Sequence, residues 1–127
     1  MPTFRGTGGT PVVQFDPVLE ISPFALFRRL QAGSAPRLLD IRPALAESTA
    51  TLSLAGAERP PKPDWRPAEP DEEIVLFDDH GNRAVELARQ LQEAGFTRVK
   101  ALFGGLDLYE FSLDPEIVGR ETFLVRL

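Results

Sequence analysis

Short apolar runs alternate along this chain with stretches whose apolar positions recur every three or four residues, and that alternation sets the expected elements. Val18 to Ile21 reads as a short strand. Ser22 follows as an N-cap, with Pro23 in the first helical turn, where a missing N–H costs nothing. Phe24, Phe27 and Leu30, with Leu26 beside them, give the ensuing helix one buried face, and Gly33 stops it. Arg37 to Ile41 has the composition of a buried parallel strand, with Asp40 and Arg42 at its carboxyl end. A short helix is expected over Pro43 to Ala50 and an extended piece over Leu54 to Ala57. Residues 58–71 then carry Pro60, Pro61, Pro63, Pro67 and Pro70, which block helix interiors and central strands alike, so this passage is a surface excursion.

Glu73 to Phe77 returns as a strand, Asp78 to Gly81 turns, and Asn82 to Ala94 is a helix. Its expected inner face is Leu87, Leu91 and Ala94, flanked by Val85 and Ala88, and Gly95 ends it. Arg98 to Leu102 is a further strand. Gly104-Gly105 leads into a short helix through Leu106 and Tyr109, and Glu121 to Leu127 alternates as an extra strand would. Strands alternating with helices predict an α/β domain, a central parallel sheet of about five strands with helices on both faces. The expected layout is a flexible N-terminal segment over 1–17 and a single domain over 18–127. That domain includes the proline-rich loop 58–71 and a C-terminal extension 112–127.

Composition narrows the function. The 127 residues suit one domain, and a hydrophobic fraction of 43% supplies a core. A net charge of -5 argues against a nucleic-acid partner. No stretch is apolar enough to span a membrane, and Met1 to Phe15 lacks the charged start and apolar run of a signal peptide, so the expected location is cytoplasmic. The chain has no cysteine, which excludes disulfides, cysteine-based metal sites and thiol nucleophiles.

Ligands of parallel sheets sit beyond the carboxyl ends of the strands. Two stretches fall there, Asp40 to Arg42 and Asp78 to Arg83. The second has its own physical logic. A short loop ending in Gly81 turns successive N–H groups inward, and the following helix adds the positive end of its dipole, so the loop suits an anion. Either Asp78 or Asp79 can supply that anion internally as a carboxylate, or cap the helix. Trp65, in the proline-rich passage, either pins that loop to the domain or belongs to a recognition surface.

From Val18 to Tyr109 the chain resembles the rhodanese family. The resemblance is carried by Ile21-Ser22-Pro23, Leu39-Asp40-Ile41-Arg42, Gly56-Ala57, the run Ile74 to Arg83, and Phe103-Gly104-Gly105 before Tyr109. It implies a rhodanese-like fold whose active-site loop begins with a cysteine. There, backbone N–H groups and a helix N-terminus lower the thiol pKa, and the thiolate takes up sulfur as a persulfide. Carried over residue by residue, the cysteine position falls on Asp78. Asp79 and His80 take the variable positions, Gly81 and Arg83 match, and Ala84 stands where a small hydroxyl residue is common. Leu52-Ser53-Leu54 departs from the family's usual run of Gly, His and an apolar residue. The resemblance also implies that Asp40 and Arg42 tie the second strand to neighbouring loops.

Aspartate forms no persulfide. The phosphatase and arsenate-reductase relatives use the same thiolate, so their activities are not implied either. A carboxylate at Asp78 would also repel anionic substrates, by about 4 kcal/mol at about 4 Å and an effective dielectric of about 20, with Arg83 offsetting part of this.

The expectation is a catalytically inactive rhodanese-like domain acting as a binding or regulatory module. The loop Asp78, Asp79, His80, Gly81, Asn82 and Arg83 is its candidate anion site, with Asp40, Arg42 and Trp65 at the pocket rim. No catalytic residue, cofactor or metal is expected. The expected partner is a protein, with the chain a monomer or weak homodimer. Two alternatives stand beside this. One is an enzyme using Asp78 as nucleophile, since a strand followed by Asp78-Asp79-His80-Gly81 faintly resembles haloacid dehalogenase phosphatases, although their second aspartate would fall on His80. The other is a small anion- or metal-binding domain using Asp78, Asp79 and His80. The tail Glu121 to Leu127 either covers the edge of its own sheet or adds a strand across a dimer.

Overall fold

The structure, a computed structural model, describes residues 14–43, 52–62 and 64–126. The helix expected over Pro43 to Ala50 lies outside the described residues beyond Pro43, as does most of the N-terminal segment. Strands β1 (Glu20–Ile21), β2 (Arg37–Asp40), β4 (Ile74–Phe77) and β5 (Val99–Leu102) form one parallel sheet in the order β1-β5-β4-β2. Between β2 and β4 the chain passes through β3 (Leu52–Leu54). The helices are α1 (Pro23–Gln31), α2 (Asn82–Glu93), α3 (Gly105–Ser112) and the single turn α4 (Pro115–Val118). Strand β6 (Leu124–Arg126) completes the chain.

β4 is central and wholly buried, and alternation along it divides the core. Val75 and Phe77 face one side, where they meet Leu26 and Phe27 of α1 and Leu106 and Tyr109 of α3. Ile74 and Leu76 face the other, against Ala84, Ala88 and Leu91 of α2. Helices therefore cover both faces of the sheet. Burying each large side chain of this kind contributes about 1.5–3 kcal/mol.

Local chemistry explains the boundaries. The Ser22 hydroxyl accepts from the Ala25 N–H at 3.2 Å, capping α1. The buried face of α2 is Ala84, Ala88 and Leu91, one step round from the expected stripe, and Ala94 is exposed. Small residues on that face let the helix lie close to the sheet. Val18 and Leu19 sit outside the first strand, because a turn closes on Asp16 through the Leu19 and Glu20 N–H groups. Phe15 packs edge-on against Phe103 with ring centroids 5.4 Å apart, so ordered contacts begin within the segment expected to be flexible.

Among the described residues the sheet has four strands, close to the expected five. Glu58 makes a single parallel bridge to Leu39 at its β2 edge, giving Asp40 N–H to Glu58 O at 2.7 Å, and Pro60-Pro61 then ends any further pairing. The C-terminal strand does not join the main sheet. β6 pairs antiparallel with β3 as a separate ribbon, Ser53 opposite Val125.

Candidate functional site

Where β4 leaves the sheet, Asp78 is 6% exposed, and its carboxylate turns back into the loop it begins. One oxygen, Oδ1, accepts from the Gly81 N–H. The other, Oδ2, accepts from the N–H groups of Arg83 at 3.0 Å and Ala84 at 3.3 Å. These donors include the first N–H groups of α2, which have no partner within the helix. Gly81 makes the turn possible with φ 93°, and a Cβ there would lie 3.0 Å from the Gly104 nitrogen. Of the two carboxylates able to enter the cradle, it is Asp78 that fills it.

The same loop is clamped from its other side. Leu106 N–H donates to the Asp78 carbonyl at 2.9 Å and Asp107 N–H to the Asp79 carbonyl at 3.1 Å. The loop thus lies between the N-termini of α2 and α3, its side chain serving one and its carbonyls the other. The Gly104-Gly105 pair makes this approach possible, but in the sequence only its turn is legible.

Asp79 turns outward to the Arg42 guanidinium, with Oδ1 to Nη1 at 3.3 Å. His80 Nδ1 lies 2.8 Å from Asp107 Oδ2, both side chains well exposed. Asn82 and Arg83 are exposed. Asp78, Asp79 and His80 therefore point to three different partners and do not converge on one ion. Among the described residues no cluster of three or more His, Cys, Asp or Glu could hold a metal.

Asp40 and Arg42 form a buried bracket. They are 5% and 3% exposed and paired through Nη2–Oδ2 at 2.7 Å and Nε–Oδ1 at 3.0 Å. Arg42 also donates to the Leu52 carbonyl at 3.1 Å and reaches Asp79, so it joins β2, β3 and the loop. The Asp40 hydrogen bond holds the Arg42 guanidinium firmly in its charged form, pushing its pKa up against the opposing effect of burial.

A cavity of about 280 Å³ opens over the loop, lined by Arg42, Pro43, Asp78, Asp79, His80, Asn82 and Arg83. Asp40 lies beneath it rather than on it. Trp65 is not at its rim. The indole is 8% exposed, packs with the α2-side core, and carries the Arg37 guanidinium 5.7 Å from its ring centroid. It pins the proline-rich loop, and its remaining surface faces a neighbouring cleft that shares Arg83. The Arg37 contact and the cleft's Arg59 and Lys62 have no local sequence signal, since proximity across a proline-rich loop cannot be read from spacing.

The Rhodanese-like domain family matches residues 25–111. The chain belongs to the rhodanese-like family. Solved structures agree at the level of the fold. The rhodanese-like domain of Alr3790 from Anabaena sp. aligns with TM-score 0.62 at 23% identity, covering 77% of this chain and 76% of that one. The human single-domain sulfurtransferase TSTD1 aligns with TM-score 0.61 at 18% identity, covering 75% and 97%. A rhodanese-related protein from Thermoplasma volcanium aligns with TM-score 0.57 at 19% identity, covering 74% and 92%. A comparison with curated proteins finds no match. Within the rhodanese-like family this chain is a cysteine-free member.

Proposed function

We propose that this rhodanese-like domain performs no sulfur transfer and works as a binding or regulatory module, with Asp78 standing at the family's nucleophile position. The observation that carries the reading is the occupancy of the cradle: the Asp78 carboxylate accepts from the Gly81, Arg83 and Ala84 N–H groups. A loop of this design binds an anion, and here the anion is covalently part of the chain. The same geometry speaks against an aspartyl nucleophile. Both oxygens accept backbone N–H groups and the residue is 6% exposed, so the carboxylate is committed to the cradle and is a poor nucleophile toward a substrate. What remains for a partner protein is the outer face of the loop, where His80, Asn82 and Arg83 are exposed.

The test is to empty the cradle. Asp78→Ala should lower stability by about 2–4 kcal/mol, since it removes a helix cap and leaves buried N–H groups without acceptors. Millimolar phosphate should then raise the melting temperature of the variant by mass action while leaving the parent protein unmoved. A parent protein that is stabilised by phosphate to the same extent would remove the internal-anion reading.

A further inference from the structure

Beyond the silent loop, the cleft beside it has the makings of a ligand site. About 670 Å³ in volume, it runs between the proline-rich passage and the outer side of α2. Trp65, Ile41 and Leu87 give it apolar walls, and Arg59, Lys62 and Arg83 bring three cations to it from two separate segments. The size falls in the range of small-molecule sites, and apolar walls with a few convergent polar groups are their usual composition.

The convergence of cations sets this cleft apart. Elsewhere several of the cations are matched, Arg29 and Arg98 with Glu73, Arg37 with Glu58 and Glu72, Arg42 with Asp40 and Asp79, while others such as Arg28, Arg66 and Arg120 are not matched among the described residues. Among the described residues no carboxylate pairs with Arg59, Lys62 or Arg83, and all three are exposed. Arg59 donates through one nitrogen to the Arg42 carbonyl at 2.7 Å, which fixes its stem. The one acid lining the cleft, Glu86, is already held by Arg89. On a chain of net charge -5, three cations that no described carboxylate pairs, gathered over apolar walls, are a local reversal of the molecule's character.

We infer that this cleft binds a small amphipathic organic anion, its ring or acyl body against Trp65 and Leu87 and its phosphate or carboxylate between Lys62 and Arg83. The site does not depend on the fate of the Asp78 loop. Trp65 is the chain's only tryptophan, so its fluorescence reports on this cleft alone. The experiment titrates the full chain with phenyl phosphate, following Trp65 emission and heat by calorimetry. Benzyl alcohol serves as the neutral control and inorganic phosphate as the charge-only control.

The expected result is saturable binding of phenyl phosphate that weakens with salt and exceeds both controls. Lys62→Ala and Arg83→Ala should each weaken it by about tenfold, as removal of a charge-assisted hydrogen bond does. Lys62→Glu, which leaves the apolar walls intact, should abolish it. Circular dichroism identifies any variant that fails to fold, and Lys62 lies on an exposed loop outside the core. Saturation absent from both signals would overturn the inference. So would equal binding of inorganic phosphate, or undiminished binding to folded Lys62→Glu. None of these outcomes bears on whether Asp78 fills its own cradle.

Discussion

A Cβ on Gly105 would sit 2.4 Å from the Asp79 carbonyl carbon and 2.6 Å from the Asp78 carbonyl oxygen, at a backbone φ of 66°. Neither atom can move without breaking the clamp that α3 places on the loop. Gly105→Ala therefore carries a left-handed backbone penalty and an overlap, on the order of 2–4 kcal/mol together. Gly33→Ala has φ 73° but open space around it and should lose only about 1 kcal/mol. Urea denaturation of the two variants separates these effects, and equal losses would mean that the approach of α3 to the loop does not constrain residue 105. At this scale the sequence was legible where a residue acts on its own neighbours. Gly81 and a carboxylate cap from Asp78 or Asp79 could be anticipated from the turn before α2, whereas the Gly105 contact joins two loops from different strands and leaves no local pattern.

At the scale of elements, side-chain pairs connect pieces whose order was readable but whose mutual approach was not. Glu73, at the start of β4, accepts from Arg29 of α1 through both oxygens, at 2.6 and 2.9 Å. That hydrogen bonding pulls the Glu73 pKa below its ordinary value near 4.5. Because the folded pKa is depressed, the contribution to stability is present above about pH 4.5 and is lost as pH falls through the folded value. Glu73→Gln should flatten the acid limb of the stability curve between those limits and leave unchanged any slope at higher pH. An unaltered acid limb would dissociate Glu73 from the acid sensitivity of the fold. The shift of α2 by one face has a similar origin. Leu87 and Val85 of the expected face are partly buried against the core, and close contact with the sheet puts Ala84 and Ala88 at its centre beside Leu91.

On the scale of the whole molecule, the C-terminal residues return to the body through Phe123 and Leu124, which pack against the core, and through one buried hydrogen bond. The Tyr109 hydroxyl donates to the Thr122 carbonyl at 2.6 Å, and the β3–β6 ribbon follows immediately. Burial pushes the Tyr109 pKa up, so the phenol stays a donor throughout the accessible range. Tyr109→Phe should cost about 1–3 kcal/mol by leaving that carbonyl unmatched, and should speed hydrogen exchange at Ala55, whose N–H donates to Phe123 at 2.8 Å. Exchange at Ala55 that stays at the parent rate would show the ribbon to be anchored elsewhere. The parallel sheet and its two helical layers were legible in the sequence because each is set by local periodicity. The ribbon was not, since β3 and β6 find each other across most of the chain. Above all, Asp78 is proposed to stand at the family's nucleophile position and to fill the cradle there with its own carboxylate. The direct measurement is the pH dependence of alkylation of Asp78→Cys, which would contain a single cysteine. Held by the Gly81, Arg83 and Ala84 N–H groups, that thiol should titrate about one unit or more below the usual value of about 8.5. A folded variant whose thiol titrates at or above the usual value would contradict the assignment of Asp78 to the nucleophile position.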